Sequence, residues 1–201
     1  VSINTISIFF SDFLNFLRAF RYPLAGEFAM TKDVAIDVDV PGDWGIEIGI
    51  LAEIYRNVAR KRICQVDLGF YEHKHQELGN KESGLVRMVR DIFKTLLRVL
   101  TEEDRVQISD SFLTSLRVVY QRVARDCIRQ YHADAVFNHL KYDRHLEETI
   151  VERFSKHMLE AGKEYLKKPI GARIPDWLRT ISAKRKIREE LFNTVVEENE
   201  K

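Results

Sequence analysis

The run LVRMVRDIFKTLLRVL, residues 85–100, decides the fold class of the second half of this chain. Its apolar residues recur at spacings of three and four, the period of one face of an α-helix, and no glycine or proline interrupts it. Two more stripes with this period follow, and a fourth helix is predicted from Ala183 to Glu197, after a proline-bearing link at 169–177. The three stripes consist of Leu85, Met88, Val89, Ile92, Phe93, Leu96 and Leu100; of Ile108, Phe112, Leu116, Val119, Val123 and Cys127; and of Leu146, Ile150, Phe154, Met158 and Tyr165.

Upstream of residue 80 the pattern changes to short apolar segments punctuated by glycine and proline. Apolar spacing over 9–20 predicts a helix, and strict alternation over 34–40 predicts a strand with one wet face. Asp43 can cap a helix that runs over 44–60. The segment 63–71 is predicted to be a mostly buried strand. Strand, helix and strand in this order indicate the edge of an α/β sheet.

The fold class predicted from these patterns is a partial α/β domain over 1–80, followed by a mainly helical extension over 81–201. Two strands alone cannot make a stable sheet, so the α/β part is expected to need further strands. The chain also begins with Val1 and opens directly into an apolar run. Both features lead us to expect a domain that continues upstream of residue 1.

Composition excludes several classes of function. With 32 basic and 31 acidic residues among 201, the net charge is +1, so no global field attracts nucleic acid or an anionic membrane. The apolar segment 1–20 is interrupted by Asp12 and Arg18 and is too short to span a bilayer. Cys64 and Cys127 are expected to be buried free thiols, which fits a reducing, cytoplasmic compartment.

The most informative side chain in the first half is Glu47. At 100° per residue, it falls at the centre of an apolar arc in the first turn of its predicted helix. Burial of an unpaired carboxylate costs several kcal/mol or forces protonation. Either Glu47 is a structural acceptor that ties the helix to a loop, or it lies in a cleft that binds substrate hydroxyls. The arc is formed by Ile50, Leu51, Ile54 and Val58.

A second candidate site is the pair His73 and His75, which follows the second predicted strand. If the strand continues, both imidazoles point to one face at a strand end, where α/β proteins place their ligands. Two imidazoles there could hold a metal or contact a phosphate. The alternative is a pair of exposed loop histidines.

Other acidic and histidine clusters give weaker signals. Asp37 and Asp39 imitate a metal-binding Asp-x-Asp, but alternation places them on the wet face of a strand. Four more residues match no familiar metal-ligand spacing and are expected in a connection between helices. They are His132, Asp134, His139 and His145.

Three segments of this sequence resemble the glucosyl-3-phosphoglycerate synthase family. They are RYPLAGEFA at 21–29, WGIEIGIL at 44–51, and QVDLG at 65–69 followed by Glu72-His73. Their order and spacing agree with the family, and the segments 174–177 and 188–191 are similar to it more weakly.

The resemblance implies a retaining transferase with the nucleotide-sugar-binding (GT-A-like) fold. It implies transfer of glucose from a nucleoside diphosphate to the 2-hydroxyl of 3-phosphoglycerate, with Mg²⁺ or another divalent cation. By position, His73 would be a metal ligand, and Glu47 would contact the donor sugar near the reacting centre. Gly26 and Glu27 would also lie on the donor sugar.

On the acceptor side, the resemblance implies contacts from Ser2 and His75. It further implies that the helical extension contributes to a homodimer. Two alternatives stay open: the same chemistry with another sugar such as mannose, or with glycerate as acceptor, and a non-catalytic helical dimerisation module.

The resemblance places the nucleotide-binding half, with its metal-binding Asp-x-Asp, before residue 1. We therefore expect residues 1–201 alone to transfer no glucose, because the metal carboxylates lie on that half. The measurement is transfer of labelled glucose from a nucleoside diphosphate to 3-phosphoglycerate, with the product of the complete reading frame as the positive control. Measurable transfer by residues 1–201 contradicts the expectation.

Overall fold

The computed structural model of the chain describes residues 11–69, 78–79, 82–169, 171 and 173–199. These residues form helices joined by short connections, with two very short strands. In chain order the elements are α1 (Asp12–Arg18), α2 (Lys32–Asp37), β1 (Val40–Pro41), α3 (Ile46–Asn57), a 3₁₀ turn (Arg60–Arg62), α4 (Gly84–Glu103), α5 (Asp110–Phe137), α6 (Arg144–Lys167), β2 (Arg173–Ile174), α7 (Trp177–Ala183) and α8 (Ile187–Asn199).

The predicted helical half is confirmed, and α4 lies at its centre. Helix α6 packs against both α4 and α5, while α3 packs on α4. The stripe predicted on 85–100 supplies much of the buried core, because burial of one apolar face stabilises a helix of this length. Its buried members are Val89, Phe93, Leu96 and Leu100, and Leu97 is buried beside them although it was not part of the predicted stripe.

A buried arginine joins α4 to α6. Arg90 is only 6% exposed, and its guanidinium forms ion pairs with Glu160 at 3.3 Å and Glu164 at 2.6 Å. Two carboxylates therefore compensate a charge that would be costly to bury alone.

Small residues bring α5 and α6 close together. A Cβ on Gly162 would lie 2.5 Å from Cδ2 of Leu113, so a side chain there would force Leu113 to move. About two turns before Gly162 on α6, the fully buried Ser155 accepts a hydrogen bond of 2.9 Å from Nε of Arg117.

The predicted N-terminal helix is confirmed over α1, which joins the same core. Ser11 caps it by accepting the Leu14 N–H at 3.0 Å, and donates its own hydroxyl to Asp104 at the end of α4. The ring centroids of Phe13 and Tyr55 lie 5.6 Å apart at an edge-on angle, which ties α1 to α3. The core thus draws on both sides of residue 80, and the division into 1–80 and 81–201 stays a prediction.

The first predicted strand is wrong. Residues 32–37 form α2, and of the predicted strand only Val40 lies in a strand, β1. A segment of six or seven alternating apolar and polar residues forms a β-ladder only beside another strand. Here α2 packs against α7 instead. Asp33 in the first turn favours the helix because a carboxylate interacts well with the helix N-terminus.

The second predicted strand is not found in the part of 63–71 that the structure describes. Residues 63–69 have no regular secondary structure, and the side chains of Val66 and Leu68 are exposed. Cys64 is also exposed and Cys127 half-buried, so the prediction of two buried thiols is wrong, although both are free.

Among the described residues, the sheet consists of β1 and β2 alone, antiparallel, with Val40 opposite Ile174. The Asp176 N–H donates to Oδ1 of Asp39 at 3.0 Å beside this pair. Asp39 therefore fastens the C-terminal segment to the residues that lead into α3. The fold is mostly helical, and the predicted edge of a nucleotide-sugar-transferase sheet is not confirmed. No helix in the described ranges is long and apolar enough to cross a bilayer.

Helix α3 approaches its neighbours through two glycines. A Cβ on Gly45 would lie 2.2 Å from Oγ1 of Thr95 in α4, and one on Gly49 would lie 2.2 Å from Cγ of Pro41 in β1. Side chains at either position would push α3 away from the core.

We expect Gly49→Ala to lower the free energy of unfolding by about 1–3 kcal/mol, because the added methyl overlaps the Pro41 ring. Helix propensity alone predicts the opposite sign, a gain of about 1 kcal/mol. Urea unfolding followed by helical circular dichroism measures the difference.

Two controls sharpen this test. Gly26→Ala has no described atom within 4 Å of its new Cβ and should change stability by less than about 0.5 kcal/mol. In a Pro41→Ala background, the nearest side-chain atom left at position 41 is Cβ, at 3.7 Å, so Gly49→Ala should lower the free energy of unfolding much less. An equal cost in both backgrounds would contradict the packing explanation.

Candidate functional site

The candidate site is built on the N-terminus of α3. The Asp43 carboxylate accepts the Gly45 N–H at 2.9 Å, so it closes the turn before the helix, and Gly45 itself is the N-cap residue. The prediction that Asp43 caps the helix is therefore wrong, because the N-cap position lies two residues further along, at Gly45. The space beside Thr95 excludes a side chain at the N-cap, which leaves the first turn of α3 without a side-chain cap.

The predicted position of Glu47 needs a correction. The packed face of α3 holds Gly45, Ile48, Gly49 and Ala52, all buried. Glu47 lies on the other side of the helix. Its arc is indeed apolar, but apart from Ile50 the arc is only half-buried. A helical wheel assigns the packed face from the hydrophobicity of the side chains, whereas this helix packs most closely where its side chains are smallest.

The environment of Glu47 disfavours its charge. Burial raises the pKa of this carboxyl above its usual value, and a hydrogen bond from its own backbone N–H lowers it only in part. No described cationic side chain contributes to this pKa. A half-buried carboxylate with few fixed partners is suited to accept hydrogen bonds from ligand hydroxyls.

The other predicted donor residues lie on a separate segment. Gly26 and Glu27 are exposed in the connection between α1 and α2. A Cβ on Gly26 would meet no described atom within 4 Å, so packing does not explain a glycine there. Ser2, His73 and His75 lie outside the described residues, so the acceptor contacts and the metal ligand stay predictions.

Two of the three segments that carry the resemblance are joined by one side chain. The Gln65 amide accepts the Arg21 N–H at 2.8 Å and donates to the Ala19 carbonyl at 2.7 Å. An exposed ion pair of 3.4 Å between Arg21 and Asp67 reinforces this link. Asp67 also accepts the N–H of Gly69, whose φ of +71° suits glycine. The segments 21–29 and 65–69 are therefore neighbours at the end of α1.

Sequence reasoning missed a charged cluster on the packed face of α3. Arg56 contacts three carboxylates: Glu53 of its own helix, and Glu102 and Glu103 at the end of α4. Beside it, α3, α4 and β1 line a small open pocket of about 20 Å³, room for about one water, which Arg98 also lines. The only sequence signal for this cluster is the acidic pair at the end of the α4 stripe.

A divalent cation requires a set of converging ligands, which can be tested on the described residues. They hold no group of three or more His, Cys, Asp or Glu side chains that could bind a metal ion. His132 lies in α5 and His145 in α6, while His139 is in the link between them. Asp39 is engaged with the Asp176 N–H instead. The described residues alone therefore do not fit a metal site.

Comparison with known proteins gives a consistent result. Glucosyl-3-phosphoglycerate synthase of Methanococcoides burtonii is 50% identical to this chain over 187 residues, which are 92% of the chain and 46% of that protein. The protein of the same name from Persephonella marina is 40% identical over 190 residues, 93% of the chain and 47% of that protein. A third, from Mycolicibacterium smegmatis, is 35% identical over 95 residues, 47% of the chain and 28% of that protein.

No protein-family model and no solved structure matches the chain. The chain spans about half the length of its first two curated relatives. Their names do not favour the two alternatives, transfer of another sugar and a non-catalytic helical module. The chain belongs to the glucosyl-3-phosphoglycerate synthase family, of which it represents the C-terminal part.

Proposed function

We propose that the protein containing this chain transfers glucose from a nucleoside diphosphate to 3-phosphoglycerate, with retention at the anomeric carbon, and that Glu47 contacts the donor sugar. The identity of 50% with a glucosyl-3-phosphoglycerate synthase over nearly the whole chain is the observation that carries this proposal. The environment of Glu47 supports it independently, since burial raises the pKa of a carboxyl that has no described cationic partner.

The role of Glu47 follows from its surroundings. Breaking the bond between glucose and a diphosphate builds positive charge on the sugar ring, as in other glycosyl transfers. A carboxylate that is poorly solvated can accept hydrogen bonds from sugar hydroxyls and stabilise that charge more strongly than one in bulk water. We propose this positioning and electrostatic role, with Gly26 and Glu27 on the same sugar.

The remaining predictions from the resemblance extend the proposal. His73 supplies one ligand to Mg²⁺ or a similar ion, which neutralises the leaving diphosphate when bound, and the other ligands come from outside the described residues. His75 and Ser2 contact the phosphoglycerate. The helical extension forms a homodimer, which exposed apolar side chains on α8 support. These are Leu191, Phe192, Val195 and Val196.

The direct test is a substrate panel with the product of the complete reading frame. We expect glucose transfer to 3-phosphoglycerate, with at least about tenfold lower kcat/KM for mannose donors or for glycerate as acceptor, since a site that bonds a phosphate or a hydroxyl rejects analogues that leave its groups unpaired. Product identity by mass spectrometry and the anomeric configuration by NMR complete the measurement. Preference for another donor or acceptor, or an inverted anomer, would overturn the assignment.

A second prediction concerns Glu47 itself. Glu47→Gln should lower kcat by about 10²–10³-fold, because the amide cannot supply the negative charge that the reaction requires. Labelled glucose transfer under saturating substrates measures this, with Glu198→Gln in the exposed last turn of α8 as the matched control.

The same substitution should raise stability in a pH-dependent way. Burial raises the pKa of folded Glu47 above its usual 4.5, so the carboxyl contributes most to stability when protonated, and that contribution is lost as pH rises through the folded pKa. Glu47→Gln should therefore unfold at a higher temperature than the wild type at pH 7, with the difference vanishing toward pH 4. A constant difference from pH 4 to 7 would speak against a desolvated carboxyl.

A further inference from the structure

We propose that Arg56 is a positioning residue for Glu47. Its guanidinium joins the packed face of α3 to the end of α4, a contact we call the clasp, and so helps to fix the rotation at which α3 presents Glu47. This inference rests on the proposed function, in which Glu47 contacts the donor sugar.

Every nitrogen of the Arg56 guanidinium is engaged. Nη1 lies 2.5 Å from Glu53, Nη2 lies 2.8 Å from Glu102, and Nε donates to Glu103. The planar fork of arginine accepts carboxylates only in fixed directions, so three partners determine its orientation. Two of the three belong to α4, which makes the contact a link between helices.

The contact lies at the surface but is partly covered. The Arg56 side chain is 24% exposed and that of Glu103 is 16% exposed, so solvent screens the pair less than at an open surface. Removal of the guanidinium would leave three carboxylates side by side. Their repulsion would separate the last turn of α3 from the end of α4.

Arg56 and Glu47 are placed so that one controls the other. Nine residues separate them, which is about 14 Å along the helix axis and about 180° around it. Arg56 holds the packed face in the last turn, while Glu47 occupies the opposite face in the first turn. The glycine contacts hold the first half of α3, and the contact of Tyr55 with Phe13 holds its last turn against α1. Arg56 adds the charged contact that joins this last turn to the end of α4.

The expected effect of a small rotation is large. A carboxylate about 5–6 Å from the helix axis moves by about 1 Å when the helix turns by about 10°. A misplacement of about 1 Å can cost about 100-fold in rate. Arg56 never touches the substrate in this arrangement, so its loss should lower kcat through Glu47.

The test uses the product of the complete reading frame. Arg56→Met should lower kcat for glucose transfer at least about tenfold with KM for the donor changed less than about threefold, since the loss falls on the transition state. Arg56→Lys keeps the charge without the fork and should recover only part of the rate. If Arg56→Met does not fold, the pair Glu102→Gln with Glu103→Gln removes the α4 half of the clasp and should give the same loss of kcat.

Two comparisons separate positioning from general destabilisation. Gly162→Ala, which forces a methyl against Leu113 between α5 and α6, should lower the unfolding temperature while leaving kcat unchanged. In a Glu47→Gln background, Arg56→Met should cost less than about twofold, because residues that act through one another are not additive.

Each result has one meaning. Wild-type kcat in the Arg56→Met protein overturns the inference, as does wild-type kcat in both the Arg56→Lys and the Glu102→Gln with Glu103→Gln proteins. A loss from Arg56→Met of equal size with and without the Glu47 carboxylate overturns it as well. Full activity of Glu47→Gln, or no glucose transfer by the wild type, instead overturns the proposed function on which the inference rests.

Discussion

The close approach of α3 to α4 and β1 is the constraint on which the candidate site depends. Gly45 and Gly49 are one turn apart, so both lie on the same face, and the neighbours Thr95 and Pro41 occupy the space that side chains would fill. Glu47 is two residues from each glycine and must therefore point away from that face. The Gly-x-Glu-x-Gly pattern thus combines packing and chemistry: the glycines set the direction of the acid between them.

The charged side chains on the two faces of α3 also have different surroundings. On the packed face, the partly covered guanidinium of Arg56 contacts three carboxylates. On the opposite face, Glu47 has no described cation to offset its burial, and burial raises its pKa. A protein selected for stability alone would replace such an acid. Its presence is what a site kept for ligand binding predicts, because function and stability then compete at one residue.

The sequence predicted the parts of this fold that depend on long periodic patterns. The helices α4, α5 and α6 are 20 to 28 residues long, so a shift of phase would expose many apolar side chains at once. The predicted strands were short. In the segment 34–40, the alternating pattern also fits about one and a half turns of helix. Only a neighbouring strand would have favoured a β-ladder over this helix.

The candidate site was predictable only in part, for a related reason. The wheel position of Glu47 was correct, but the choice of the packed face was wrong, because glycines count as neutral on a wheel and yet permit the closest contacts. The partners of Arg56 on α4 are 46 and 47 residues away in sequence, beyond the reach of any local pattern. Likewise, nothing in the sequence around Gln65 indicates that its side-chain amide forms hydrogen bonds with the backbone of Ala19 and Arg21.

These long-range contacts explain how separate segments can serve one site. Helix α1 carries the segments 21–29 and 65–69 at its end, through Gln65, while α3 carries Glu47. The edge-on contact between Phe13 and Tyr55 holds α1 against α3, and Ser11 fastens the start of α1 to Asp104 at the end of α4. The loops therefore project from helices that are locked to each other by buried rings and hydrogen bonds. Such a base suits the proposed sugar site, because side chains supported by packed helices are positioned more precisely than side chains on unsupported loops.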